Sequence, residues 1–299
     1  MYFDNAEGMV FRPPSEAKSL ILRVTIGCSH NECTFCSMYR GVRFRTRTQQ
    51  EIYALIEKAA RYYPDTRRIF LADGNALVLG NERLLPIMHR LKENFPKLAR
   101  ITCYGGPKDI NRKSVEELAA LKEAGLQIIY LGIESGDDAT LSYVNKGVTS
   151  EEMIAAGQKV IASGLKLSAM IILGLGGKAR TNEHALNSAR VVSAINPTML
   201  SALTLMLHEG TPLREAADKG EFQPLSAYEL MLELEKMMKA IQVSDPCIFR
   251  SNHASNMLPL AGTLPKDKAA LLADIASMLD YLKDKDKANK PLYNDTGDF

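Results

Sequence analysis

Leu20-Ile-Leu-Arg-Val-Thr-Ile-Gly-Cys28-Ser-His-Asn-Glu-Cys33-Thr-Phe-Cys36-Ser-Met-Tyr39 joins two signals that decide how this chain is built. Leu20–Ile26 is an apolar run ending in Val24, Thr25 and Ile26, residue types that favour extended backbone. Directly after it, three cysteines fall within nine residues. The whole chain holds five cysteines, so their crowding into one loop points to metal rather than packing. Three is one short of a common set. A structural zinc site takes four protein ligands, and a simple electron-transfer iron–sulfur cluster takes four cysteines. Three thiolates suit a cluster with one iron open to another ligand.

Working outward, short β-rich runs alternate with helical patterns. Strands are expected at Leu20–Ile26, Arg68–Ala72, Arg100–Tyr104, Leu126–Ile133, Leu165–Leu173 and Met199–Leu207. Helices are expected between them at Gln50–Tyr62, Glu82–Asn94, Ser114–Ala124, Ser150–Ser163 and Asn182–Ile195. Ser114 with Glu117 reads as a capping box, Ser150 as a cap, and Gly125 and Gly164 as stops. Six strand–helix units in succession imply a parallel sheet flanked by helices. Six are fewer than the eight of a closed barrel, so the expected fold is α/β, a partial (β/α)6 TIM-like barrel. Its chemistry belongs at the C-terminal ends of the strands. Beyond residue 210 the pattern changes to helices at Thr211–Gly220, Ser226–Gln242 and Lys266–Lys283. The charged tail Lys283–Phe299 is expected to fray. The expected organisation is an N-terminal extension (1–17), the barrel (18–212) and a helical C-terminal extension capping it (213–299).

Of the 299 residues, 46% are hydrophobic, enough for a substantial core. The formal net charge of +2 supplies no strong field toward nucleic acid or an anionic membrane. The N-terminus lacks the pattern of a secretory signal. Apolar runs such as Leu167–Leu175 are too short to span a bilayer. A cytoplasmic protein is expected, and in that reducing compartment clustered cysteines serve as ligands or catalysts rather than disulfides.

The cysteine loop resembles that of the radical S-adenosylmethionine (SAM) superfamily. The usual spacing there is Cys-x3-Cys-x2-Cys, whereas here it is Cys-x4-Cys-x2-Cys, marking a divergent branch. The resemblance implies that Cys28, Cys33 and Cys36 bind a [4Fe–4S] cluster whose fourth iron takes the amino and carboxylate groups of SAM. Reductive cleavage of SAM to a 5′-deoxyadenosyl radical follows, and that radical abstracts hydrogen from a substrate or adds to it. Phe35, before the last cysteine, is implied to lie beside the adenine. Two other readings of the spacing stay open. It also begins a plant-type [2Fe–2S] site, which needs a distant fourth cysteine, Cys103 or Cys247. Zinc with His30 as fourth ligand is the other.

Later motifs follow the superfamily's order. Asp73-Gly74-Asn75-Ala76, after the second strand, looks like a variant of the turn that holds the SAM amino group; alone it is a turn signal. Glu134 and Ser135 end the fourth strand, where a polar residue meets the ribose hydroxyls or the methionine part of SAM; the plain alternative is a strand-end cap. Lys146 resembles a basic residue that pairs with the SAM carboxylate in a branch like the oxygen-independent coproporphyrinogen oxidases, or is an exposed lysine before a turn. Gly174, in Ile171-Ile-Leu-Gly-Leu-Gly-Gly177, resembles the region that packs on adenine. His208, near Gly210-Thr-Pro-Leu213, is a candidate for substrate or for a helix cap. Arg40, Arg43, Arg45 and Arg47 alternate on an extended stretch. They are a solvated basic edge or a site for an anionic substrate or an acidic electron donor, and Arg43 is the chosen candidate. The polar run Phe249–Pro259 carries Arg250, Asn252, His253 and Asn256, expected to return to the barrel mouth.

The resulting expectation is a radical SAM enzyme with a [4Fe–4S] cluster and SAM. Its expected partners are a small-molecule or peptide substrate and a reductant such as flavodoxin or ferredoxin. With fewer than 30 residues before the cluster and too few cysteines for a second one, cobalamin-dependent methylation and methylthiolation are disfavoured. The alternatives are a non-catalytic iron–sulfur carrier and an RNA-modifying enzyme of the same superfamily. The near-neutral charge disfavours the latter.

Overall fold

The structure, a computed structural model, describes residue 4 and residues 9–283. The tail from 284 to 299, expected to fray, lies outside the described residues, as does most of the stretch before residue 9.

The strand elements are β1 (Leu20–Arg23), β2 (Thr25–Ile26), β3 (Arg45–Thr46), β4 (Arg68–Ala72), β5 (Arg100–Tyr104), β6 (Leu126–Glu134), β7 (Lys166–Leu173), β8 (Met199–Thr204), β9 (Cys247–Ser251) and β10 (Leu260–Leu264). Between them run α1 (Gln49–Tyr62), α2 (Asn81–Asn94), α3 (Pro107–Arg112), α4 (Val115–Glu123), α5 (Asp138–Tyr143), α6 (Ser150–Ala162), α7 (Gly177–Ile195), α8 (Pro212–Asp218), α9 (Ala227–Ala240) and α10 (Lys268–Lys283). The main sheet is open, in the order β1-β4-β5-β6-β7-β8-β9-β10. It is mostly parallel. Leu20 pairs with Ile69, Arg68 with Arg100, and Tyr104 with Tyr130, all between parallel strands. This is the α/β, TIM-like arrangement that six successive strand–helix units imply.

Two details go beyond the sequence reading. The first expected strand divides at Val24, whose amide bonds Ala72 O, and β2 turns aside to pair with β3. The C-terminal segment adds strands as well as helices: β9 runs parallel to β8, and β10 closes back antiparallel on β9.

Helix starts follow side-chain chemistry. Thr48 with Glu51, Ser114 with Glu117, and Ser226 with Glu229 form reciprocal capping boxes on α1, α4 and α9. The cap of α6 is Thr149 rather than the expected Ser150: the Glu152 amide donates to Thr149 Oγ1, and the Thr149 amide donates to the Glu152 carboxylate. The acidic residue three places on fixes the register, and Ser150 turns instead to Asp138. Loss of one such cap costs about 1 kcal/mol.

Two compact units are present. The first holds the described residues up to Asn31, with Met38–Leu131 and Ala155–Ser168. Its fully buried residues include Ile69, Phe70 and Leu71 of β4, Ile52 and Ile56 of α1, and Leu84, Ile87 and Leu91 of α2; α1 packs on α2. The second holds Glu32–Ser37, Gly132–Ile154 and the described residues from Ala169 onward. Here α9 packs on both α7 and α10, burying Val191, Val192, Leu234, Met237 and Ile275. No described helix is long and apolar enough to cross a membrane.

Candidate cofactor site

In the first unit the end of β4 is laced to the start of the cysteine loop. Asp73 Oδ2 accepts from Arg23 Nη2 at 2.6 Å, from Arg23 Nε at 3.0 Å and from the Gly27 amide at 2.9 Å. The Gly74 amide returns to Gly27 O at 3.2 Å. Arg23 and Asp73 are fully buried. Burial raises the Asp73 pKa, while Arg23 and the Gly27 amide pull it down. Gly74 lies so close to Cys28 that a Cβ there would stand 2.9 Å from the Cys28 Cβ. Only glycine permits that approach. Asn75 is committed to the frame: its Nδ2 donates to Ser29 Oγ and Asp109 Oδ2, and its Oδ1 accepts the Gly106 amide. Ala76 is buried at the start of a short 3-10 turn. Tyr39 sits behind the loop. Burial, then Asp73, Tyr104 and Cys28, drive its pKa upward, so it stays a neutral phenol. Its hydroxyl and Asp73 Oδ1 are buried without a hydrogen-bond partner.

The second unit holds Cys33, Cys36 and Phe35, all half-buried. The segment is pinned by its backbone: Thr34 N donates to Val144 O, and Leu213 N donates to Thr34 O. Phe35 packs against a cluster of Val144, Leu175, Leu207, Leu213 and Phe222. Glu134 ends β6 at φ +63°, a left-handed conformation. Its Oε1 accepts from Lys146 Nζ at 2.8 Å, so two residues chosen separately from the sequence meet as one ion pair. Ser135 is buried, with Oγ 2.8 Å from His184 Nδ1. Gly174, at φ +82°, donates its amide to Glu233 Oε1 at 2.6 Å.

Next to Ser135, Asp137 gathers donors from Arg180, Thr140 and Asn187. Burial by itself raises its pKa, but the hydrogen bonds from Arg180 and Thr140 outweigh it and hold the carboxyl well below the usual range. A folded pKa below the unfolded one contributes stability above about pH 4, lost as pH falls toward the folded value. Asp137→Ala should therefore be less stable than the parent by about 2 kcal/mol at pH 7. The gap should shrink in urea unfolding at pH 3; an unchanged gap contradicts the assignment.

The substrate candidates differ in burial and in partners. Arg43 is exposed, while Arg47 is buried in an ion pair with Asp4 at 2.7 Å. His208 is exposed, and its carbonyl accepts from Thr211, the cap of α8. Arg250 lies on the exposed side of β9 and donates to Phe249 O and Gly262 O; Asn252 is exposed. His253 is half-buried, and burial lowers its pKa. Asn256 closes the end of β8 through Thr204 Oγ1 and Ala202 O. Sequence reasoning passed over Glu233, His184, Asp137 and Arg23. Glu233 left one trace, an acidic residue at i+3 from Leu230 and i−4 from Met237 on the apolar face of α9.

None of the five cysteines is held in a disulfide, and those of the loop are partly exposed. Among the described residues no group of three or more His, Cys, Asp or Glu side chains is gathered to hold a metal ion. The donor chemistry nonetheless fits an iron–sulfur cluster: three accessible thiols lie on one loop, with a glycine backbone pressed against the first. The sequence profile described as Radical SAM superfamily matches residues 22–189. The chain belongs to the radical SAM superfamily.

Among curated relatives, this radical SAM protein is similar to 4'-phospho-dehydrooxetanocin synthase of Priestia megaterium, 30% identical over 50% of this chain and 22% of that one. It is also similar to biotin synthase of Buchnera aphidicola, 25% identical over 74% of this chain and 64% of that one. Among solved structures, coproporphyrinogen III oxidase of Escherichia coli aligns with a TM-score of 0.51 and 17% identity, covering 88% of this chain and 52% of that one. The match thus spans between 22% and 64% of the lengths of these relatives. The structural likeness concerns the fold, a mostly parallel sheet alternating with helices.

Proposed function

We propose that this radical SAM protein is an enzyme that cleaves SAM reductively and directs the resulting radical at a small-molecule or peptide substrate. The observation that carries the reading is the loop of Cys28, Cys33 and Cys36, three partly exposed cysteines outside any disulfide that follow the first strands in a chain of this superfamily. The cysteines hold the [4Fe–4S] cluster. When bound, it supplies one electron that splits SAM into methionine and a 5′-deoxyadenosyl radical. The chain's own task is to bind and orient SAM and to keep water and stray hydrogen donors away from the radical.

Backbone groups of Asp73–Ala76 face the amino group of SAM, and the Gly74 approach to Cys28 brings that backbone near the metal-binding loop. Glu134 and Lys146 supply opposite charges from one ion pair. With SAM bound, Lys146 would pair with its carboxylate, and Glu134 would accept hydrogen bonds from the ribose hydroxyls. Phe35 and the Gly174 backbone contact the adenine. Arg40 and Arg43, both exposed, offer a basic edge to the acidic surface of a flavodoxin or ferredoxin. A reducing cytoplasm suits both the thiols and such a donor.

Low-temperature electron paramagnetic resonance of the anaerobically reconstituted, dithionite-reduced protein tests the reading. A reduced [4Fe–4S] signal should appear and change shape when SAM is added. A signal indifferent to SAM identifies an iron–sulfur carrier instead.

A further inference from the structure

Beyond the strand ends, one buried network is left over. Glu233 sits on α9, outside residues 22–189 matched by the superfamily, and its side chain is fully buried. Its Oε1 accepts the Gly174 amide at 2.6 Å, and its Oε2 accepts the Thr181 hydroxyl at 2.6 Å. His184 Nε2 lies 3.7 Å from Oε1 and has no hydrogen-bond partner, although the imidazole is fully buried. On the far side of the ring, Nδ1 meets Ser135 Oγ at 2.8 Å, and Ser135 Oγ accepts the Asp137 amide at 3.0 Å. A hydroxyl that accepts from an amide still has its own proton to give. Ser135 can therefore donate to Nδ1, the arrangement that places the ring proton on Nε2, 3.7 Å from Glu233 Oε1.

An acidic residue on an apolar helix face is costly to bury without partners. Here the partners are Gly174, in the turn after β7, and Thr181 and His184 of α7, which follows that turn. Leu230, one turn before Glu233, completes the seat: a Cβ on Gly174 would stand 3.0 Å from its side chain. The Gly174 turn therefore meets the C-terminal segment in a charged hydrogen bond from Gly174 N to Glu233 and in the side chain of Leu230.

We propose that Glu233 is a positioning residue for SAM. Through Gly174 it fixes the β7 turn, and beside it, 3.7 Å away, stands His184, whose bond to Ser135 reaches the end of β6, where Glu134 lies. The inference rests on the SAM-binding reading of these two strand ends. It makes the C-terminal segment part of the cofactor site rather than a separate appendage.

The test uses the full chain, reconstituted anaerobically, in parent, Glu233→Gln, Glu233→Ala and Thr181→Val forms. SAM affinity is measured by calorimetry, and amide hydrogen exchange of residues 172–176 is measured without SAM, well below the melting temperature. Glu233→Ala should weaken SAM binding at least tenfold and speed exchange at Gly174, with iron content unchanged. Glu233→Gln keeps an acceptor for the Gly174 amide and should stay within threefold of the parent. Thr181→Val, which frees one carboxylate oxygen, should fall between them and decides the matter if Glu233→Ala does not fold. Parent-like SAM affinity and exchange in folded Glu233→Ala, or in Thr181→Val if it alone folds, overturn the proposal. Should the parent itself fail to bind SAM, the functional reading falls, while the exchange data still show whether Glu233 holds the turn.

Discussion

Replacing Cys33 with alanine should remove the cluster's iron and lower SAM cleavage at least about a thousandfold, on the order of 4 kcal/mol of barrier. In the proposed reading the cluster would take the three loop cysteines as protein ligands and no other thiol. The two remaining cysteines are sealed in the core, Cys103 at 1% exposure and Cys247 at 0%. Burial pushes both thiols up to about 12, so neither offers a thiolate at neutral pH. Their place in the core disfavours them as the fourth ligand of a plant-type site. Cys103→Ala therefore serves as the control. Its iron content and SAM cleavage should match the parent, apart from the cost of a small core cavity. Iron and sulfide analysis of Cys28→Ala, Cys33→Ala, Cys36→Ala and Cys103→Ala checks this directly. Full iron in any of the three loop variants, or its loss from Cys103→Ala, contradicts the ligand assignment.

The second large effect is on stability. Arg23→Met should destabilise the protein by about 3–5 kcal/mol, because it strands the Asp73 carboxylate in a site from which water is excluded. Asp73 Oδ1 already lacks a partner, and the two arginine donors plus the Gly27 amide are what hold Oδ2. Adding Asp73→Asn to Arg23→Met should recover part of the loss, since a neutral amide can still accept from Gly27 and carries no charge to bury. Urea unfolding of the parent, the single variant and the double variant measures both steps. A double variant no more stable than Arg23→Met contradicts the claim that stranded charge causes the loss. The consequence reaches the site, because this pair anchors the residue before Cys28.

The strands of the barrel were readable because each is a short apolar run bounded by turn residues. Leu126–Glu134 and Lys166–Leu173, buried along most of their length, announce themselves as parallel-sheet interiors. The strand Cys247–Ser251 hid for the opposite reason. Only alternate residues are buried, and the exposed Arg250 stands between two of them, so the stretch reads as a polar loop. The six-residue helices Pro107–Arg112 and Asp138–Tyr143 are too short to develop a periodicity. At the site, the cysteine loop was legible because three cysteines in nine residues have few other uses. The ion pair between Glu134 and Lys146 was not, since nothing local links residues twelve apart until the chain folds back. His184 and Glu233 were further still from view. Each looks like an ordinary member of a helix, and only tertiary packing turns them toward Ser135 and Gly174.

The most direct test of the central claim is chromatographic detection of 5′-deoxyadenosine after the anaerobically reconstituted protein is mixed with dithionite and SAM. The expected result is slow release of 5′-deoxyadenosine, with methionine in equal amount, from the parent and none from Cys33→Ala. A parent protein that carries a complete reduced cluster yet leaves SAM intact would contradict the account.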